Sequence, residues 1–231
     1  GLLISDRPGA LWTRAVLNKN RVGVAPTELV RIVVAIDPPA TASEDSSEAG
    51  IVVVGSTADG CAYVLADGSL HGTPDDWGRQ AVRLYDQFDA DQIVGEVNNG
   101  GDMVGFTVKE CAKALHREGE RQINVVPYVP VRASRGKLTR AEPIAALYSQ
   151  GRVRHVGLYT DLEDQLTSWV PGEQSPDRLD ALVWALTALV LYGSNDIETW
   201  GGTGSKQDGG EYVREVARHD GVWFPPSQSK W

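Results

Sequence analysis

A chain of 231 residues, 42% of them hydrophobic, has enough apolar surface for one substantial core. Its formal net charge of −9 excludes a protein that coats nucleic acid by bulk electrostatics, though it leaves room for a local basic groove. No apolar run is long enough to span a bilayer and no signal peptide is visible, so no membrane partner is expected.

The first residue is Gly rather than Met, which reads as a piece of something longer. Residues 1–29 lack sustained periodicity apart from a short helical possibility around Ala10–Asn18, and read as an amino-terminal arm or linker. Arg31–Pro39 (R-I-V-V-A-I-D-P-P) is a buried strand that stops at Asp37, because two prolines cannot continue a ladder. An acid in that place serves either as a turn former or as a functional group. The acidic stretch that follows, with Glu44, Asp45 and Glu48, reads as a solvated loop. Gly50–Ser56 and Cys61–Ala66 are two more strands joined by an Ala58-Asp59-Gly60 hairpin turn.

Thr73-Pro74-Asp75-Asp76 opens a helix running to about Phe88, with a cap, Pro at the first position and acids at the positive end of the dipole. Asp91–Val97 is a fourth strand that carries Glu96 near its carboxyl end. A turn at Asn98–Gly101, a helix over Val104–His116 stopped by Gly119, and a fifth short strand at Ile123–Tyr128 closed by Pro127 and Pro130 follow. The order β-β-β-α-β-α-β describes an antiparallel half followed by two parallel crossovers.

Beyond it, Arg132, Arg135, Lys137, Arg140, Arg152 and Arg154 face only one acid, Glu142, so an acidic protein carries one basic belt. That belt is either a solvated surface or a grip on phosphates. A helix with Ala145–Tyr148, an R-V-R-H-V strand, a helix over Tyr159–Trp169 and a last helix over Ser175–Tyr192 complete a domain of residues 30–193. In the last helix Ser175 can cap and Pro176 takes the first position. Residues 194–231, rich in Gly at first, read as a flexible linker and tail.

Asp37, Glu96 and Asp180 end or open core elements, and Asp177 lies one turn before Asp180. If the fourth strand lies parallel to the first, Asp37 and Glu96 stand on neighbouring strands ~4.8 Å apart. Like charges that close need a proton or a cation between them. Oxygen-only donors suit Mg²⁺ or Mn²⁺, and two such ions suit phosphodiester cleavage. His71, His116, His155 and His219 have no ligand spacing, and Cys61 and Cys111 read as buried reduced thiols, so a zinc site is not expected. Asp177 is equally explained as a partner of the helix dipole, whereas Asp180 interrupts an apolar face formed by Leu179, Leu182, Val183 and Leu186.

V-A-I-D-P-P, G-I-V-V-V-G, V-G-E-V-N-N-G-G, G-K-L-T-R-A-E-P-I-A and P-D-R-L-D-A-L-V-W-A-L, in this order over roughly residues 10–192, resemble the nuclease domain of tailed-phage large terminases. The resemblance implies a ribonuclease H-like α/β fold, with a mixed five-stranded sheet flanked by helices and extra β/α elements. It implies a metal-dependent endonuclease that cuts concatemeric double-stranded viral DNA during genome packaging. By it Asp37, Glu96 and Asp180 match three metal-binding catalytic acids. The Asp177–Asp180 pair also resembles the D-x-x-D ending of Holliday-junction resolvases, which makes Asp177 a helper or a further ligand.

Arg132, Arg135, Lys137 and Arg140 would then contact DNA. Mg²⁺ or Mn²⁺ would be the cofactor, as two ions. The partners implied are a terminase ATPase domain, the portal and the small terminase subunit, in the host bacterial cytoplasm. No G-x-x-x-x-G-K-[ST] occurs, so motor activity is not expected of this chain. A Holliday-junction resolvase and a non-catalytic docking module are the alternatives.

Overall fold

A computed structural model describes residues 6–38, 48–97, 103–132, 136–191 and 214–215. Helix α1 (Arg14–Lys19) is capped by the Thr13 hydroxyl, which accepts from the Val16 amide. Short strands β1 (Arg21–Val22) and β2 (Glu28–Leu29) lead into the central strand β3 (Arg31–Asp37). Strands β4 (Glu48–Ser56) and β5 (Ala62–Asp67) form the expected hairpin, turning at Gly60 with φ +79°. After β6 (Leu70–His71), helix α2 (Pro74–Gln87) starts with a reciprocal capping box between Thr73 and Asp76. Then come β7 (Gln92–Glu96), α3 (Met103–Arg117), β8 (Tyr128–Val131), α4 (Lys137–Ser149), β9 (Val153–Val156), α5 (Thr160–Ser168) and α6 (Asp177–Leu186). Helix α6 passes into a π-helical turn over Thr187–Leu191, and β10 (Arg214–Glu215) pairs with β2.

The main sheet runs in the order β1-β9-β5-β4-β3-β7-β8, with β6 beside the start of β4. Along that order β4 is antiparallel to both neighbours, and every other adjacent pair is parallel. The carboxyl ends of β3 and β7 therefore share one edge. Alternation along β3 sends Val33 and Ala35 to a core with α1, α4, α5 and α6, and Ile32, Val34 and Ile36 to a second core with α2 and α3. This is the mixed ribonuclease H-like sheet with helices on both faces, extended at one end by β9 and β1.

Three sequence expectations change. Ile123 and Val125 are 61% and 64% exposed, and the fifth strand lies at Tyr128–Val131 with Pro130 inside it. Among the described residues strand β8 has only β7 as a neighbour, so the missing amide of Pro130 faces no described ladder on its outer side. The stretch ahead of residue 30 is not a free arm where it is described: Trp12 and Leu17 are each 1% exposed in the core, and β1 pairs with β9. Glu48 does not lie in a solvated loop but opens β4, its side chain 16% exposed against Arg178. Glu44, Asp45, Asn98–Gly101, Arg135, His219 and nearly all of 194–231 lie outside the described residues.

Candidate metal centre and its surroundings

Parity along the strands sets the site. Val33 and Ala35 face α6, so Asp37, two residues further, belongs to the same side; Val94 places Glu96 likewise, and Val52 does so for Gly50. Register pairs Asp37 with Gly50 and Ile36 with Gly95, which brings Glu96 beside Asp37 one step past the last paired residues of β7.

Gly50 decides how near α6 can come. A Cβ on it would stand 2.0 Å from the Asp177 carbonyl oxygen, so only glycine lets the first turn of α6 lie on β4. The helix packs across β4, β3 and β7. Asp177, Asp180 and Trp184, spaced three and four residues apart, share the face turned toward the strand ends. Ser175 does not cap this helix. Pro176 occupies the N-cap position, and the Ser175 hydroxyl instead donates to Asp180 Oδ2.

Asp180 is 3% exposed and also accepts from Lys137 Nζ at 2.6 Å. Glu96 accepts from the Trp184 indole N–H at 2.9 Å, with Arg140 Nη1 3.9 Å away. The Arg140 guanidinium lies 4.2 Å from the centroid of the Trp184 ring. Lys137 and Arg140, both on the first turn of α4, thus lean on the acids rather than forming a detached belt. Arg132 is exposed just past β8.

Burial and repulsion act together at Asp37. Burial first, then Asp180, Glu96 and Asp177, push its carboxyl well above the usual carboxylate range, and Lys137 pulls only weakly the other way. Asp177 is pushed up to about 6, by burial first and then by Glu48 and Asp180. Four acids from three elements therefore converge, and Lys137 and Arg140, set against Asp180 and Glu96, do not hold the Asp37 carboxyl down.

Among the described residues, no three His, Cys, Asp or Glu side chains form a group that could hold a metal ion as they stand. Both Asp180 and Glu96 are turned toward internal donors. The donors available are nevertheless all carboxylate oxygens, which is the chemistry Mg²⁺ and Mn²⁺ take, and their mutual repulsion fits a cation. Of the histidines, His71 lies 3.7 Å from Glu48 and opposes the rise at Asp177. His155 is 1% exposed and bonded to Tyr148 and Glu163 elsewhere.

The sequence model described as a terminase RNase H-like domain matches residues 34–189. The chain belongs to that family. Comparison with curated protein sequences gives no match. Among solved structures, this terminase domain is similar to the nuclease domain of the large terminase subunit gp2 of bacterial virus Sf6. The TM-score is 0.53 at 13% identity, over 77% of this chain and 98% of that one.

It is also similar to the large terminase of the thermophilic bacteriophage D6E, with a TM-score of 0.53 at 12% identity over 84% of this chain. The match covers 47% of the D6E protein, so this chain spans about half of it. A mutant Sf6 domain solved with manganese and β-thujaplicinol gives a TM-score of 0.50 at 12% identity, over 77% of this chain and 98% of that one. At these identities the likeness concerns the fold.

Sequence reading missed Trp184 and Gly50. In sequence Trp184 is one more apolar residue of the last helix, and Gly50 is the boundary of a strand. The spacing Asp180 to Trp184, one helical turn, was the signal for the first.

Proposed function

We propose that this terminase domain is a divalent-metal-dependent endonuclease that cuts double-stranded DNA during viral genome packaging, with little sequence preference. One observation carries the reading. Asp37 ends the central strand beside Glu96 on the next parallel strand and beneath the acid-bearing first turn of helix α6, where burial first and then Asp180, Glu96 and Asp177 push its carboxyl up, a repulsion that a divalent cation relieves. Asp37 would hold both ions, Glu96 one and Asp180 the other, with Asp177 as helper. Bound there, two ions supply an activated water and stabilise the leaving oxygen.

The chain's own residues do the rest. Trp184 orients Glu96 through its indole N–H, and Ser175 and Lys137 orient Asp180. Lys137, half exposed beside the acids, and Arg140, Arg135 and Arg132 would hold backbone phosphates, which positions a duplex without reading its bases. Manganese in a solved relative supports the choice of metal, since that structure is described with it. Portal, small subunit and ATPase domain would be partners in the full assembly, in the infected host's cytoplasm. Among the described residues, no helix is long and apolar enough to cross a membrane.

Asp37→Asn tests the assignment. Plasmid nicking in Mn²⁺ should fall below ~1% of wild type as a shared ligand is lost. The melting temperature should hold or rise, because a repelled charge has gone. Nicking at the wild-type rate would refute the site.

A further inference from the structure

We infer that Arg178, together with Gln165 and Glu48, is a positioning clamp that fixes the acid-bearing first turn of α6 on the sheet and thereby sets the affinity of the acid site for divalent metal. The inference rests on the reading of Asp37, Glu96, Asp177 and Asp180 as the cutting site.

Helix α6 begins without a cap of its own. Pro176 has no side-chain acceptor, and the Ser175 hydroxyl is committed to Asp180. The amides of a first helical turn need acceptors from elsewhere. The Arg178 amide finds one in Gln165 Oε1 of α5, at 3.1 Å. A side chain from a different helix therefore does the capping.

The same Gln165 closes a loop. Its Nε2 donates to Glu48 Oε2 at 2.8 Å, and Glu48 Oε1 accepts from Arg178 Nη2 at 2.7 Å. Arg178 Nη1 reaches on to Asp67 at the end of β5, at 2.5 Å. The side chains of Arg178, Glu48 and Asp67 are 12%, 16% and 7% exposed. Three elements, β4, β5 and α5, are thus tied to one residue of α6. That residue lies directly after Asp177 and two before Asp180.

Such a buried ion pair adds little net stability over a well-packed apolar replacement, but it fixes direction. Direction matters here because Gly50 leaves the helix no slack, and ligand geometry tolerates errors of only ~0.5 Å. Residues that orient a metal's ligands without touching it typically change affinity ~10–100-fold when removed.

The test is Mn²⁺ titration by calorimetry on wild type, Arg178→Met and Gln165→Leu, with a thermal melt and a Mn²⁺ dependence of plasmid nicking on each. Arg178→Met keeps the stem and removes the fork; Gln165→Leu removes the borrowed cap while leaving Arg178 in place. The expected result is Mn²⁺ affinity weakened ~10-fold or more in both variants. The Mn²⁺ needed for half-maximal nicking should rise in step, and Arg178→Lys should recover part of the loss. A merely structural role would lower the melting temperature without moving the metal affinity of the folded protein. Affinity within two-fold of wild type in both variants overturns the clamp and leaves the cutting site standing. If Arg178→Met does not fold, Gln165→Leu alone decides. Absence of Mn²⁺ uptake by wild type overturns the cutting-site reading, and the clamp with it.

Discussion

Two groups of buried charge in this domain have opposite balances. Around Glu163, 2% exposed, Arg21 donates from both Nη atoms at 2.7 and 2.8 Å, and His155 Nδ1 lies at 2.9 Å with Tyr148 hydroxyl behind it at 2.7 Å from Nε2. Burial opposes ionisation of Glu163, yet these partners overcome it and pull its pKa down to about 2. Around Asp37 burial and three acids act together, and the shift runs upward. Burial is common to both groups, so it does not decide the sign. What decides is the balance of charge around each carboxyl. Glu163 accepts directly from the Arg21 guanidinium; around Asp37 the cations Lys137 and Arg140 lie against Asp180 and Glu96, and burial with three acids outweighs the pull of Lys137.

Breaking the balanced group should have the largest effect on stability. Glu163→Ala leaves buried His155 and partly exposed Arg21 without their shared carboxylate and should cost ~3 kcal/mol in urea unfolding, while Mn²⁺ uptake by the folded fraction stays at wild type. The same pair predicts an acid trend. A carboxyl held at about 2 against an ordinary 4.5 adds stability that is fully present above 4.5 and is lost as pH falls toward 2. That loss amounts to about 3 kcal/mol and should be missing from Glu163→Gln. A flat wild-type profile between pH 5 and 2 would mean that the two groups do not differ as described.

Gly50→Ala attacks the other group through packing. The new methyl meets backbone 2.0 Å away, so α6 must retreat, at about 1–3 kcal/mol of stability. Nicking and Mn²⁺ uptake should suffer more than the melting temperature does, and an equal fall in all three would show that Gly50 serves packing alone. Trp184→Phe keeps a smaller aromatic ring and removes the indole N–H on Glu96; the expected loss is about 1–3 kcal/mol of stability together with a measurable rise in the Mn²⁺ requirement. The smallest effect belongs to Lys137→Ala. DNA binding should weaken and the slope of log affinity against log salt should fall by about one, measured by anisotropy on a duplex at several salt concentrations.

Much of this was legible in the chain. The run R-I-V-V-A-I-D-P-P announces a central strand and its end because β-branched residues and prolines act locally, and Thr73-Pro74-Asp75-Asp76 announces α2 for the same reason. That Asp37 and Glu96 end neighbouring strands on one edge of the sheet followed from expecting the fourth strand to lie parallel to the first. The misses involve contacts made at a distance. Trp12 looks like part of an irregular arm until α4 packs on it, and Pro130 looks like a stop until β8 is seen, among the described residues, to pair with β7 alone. Lys137 and Arg140 read as a basic belt because sequence shows their charge but not the carboxylates across the fold that receive them.

Pro130 carries one further consequence. A sheet rim with a full row of free amides invites strands from other molecules, and in a crowded assembly of many identical copies that invitation leads to fibrils. Among the described residues β8 is the last strand of the sheet on this side, and the pyrrolidine ring interrupts its outward amides, which makes this rim a poor template for accretion.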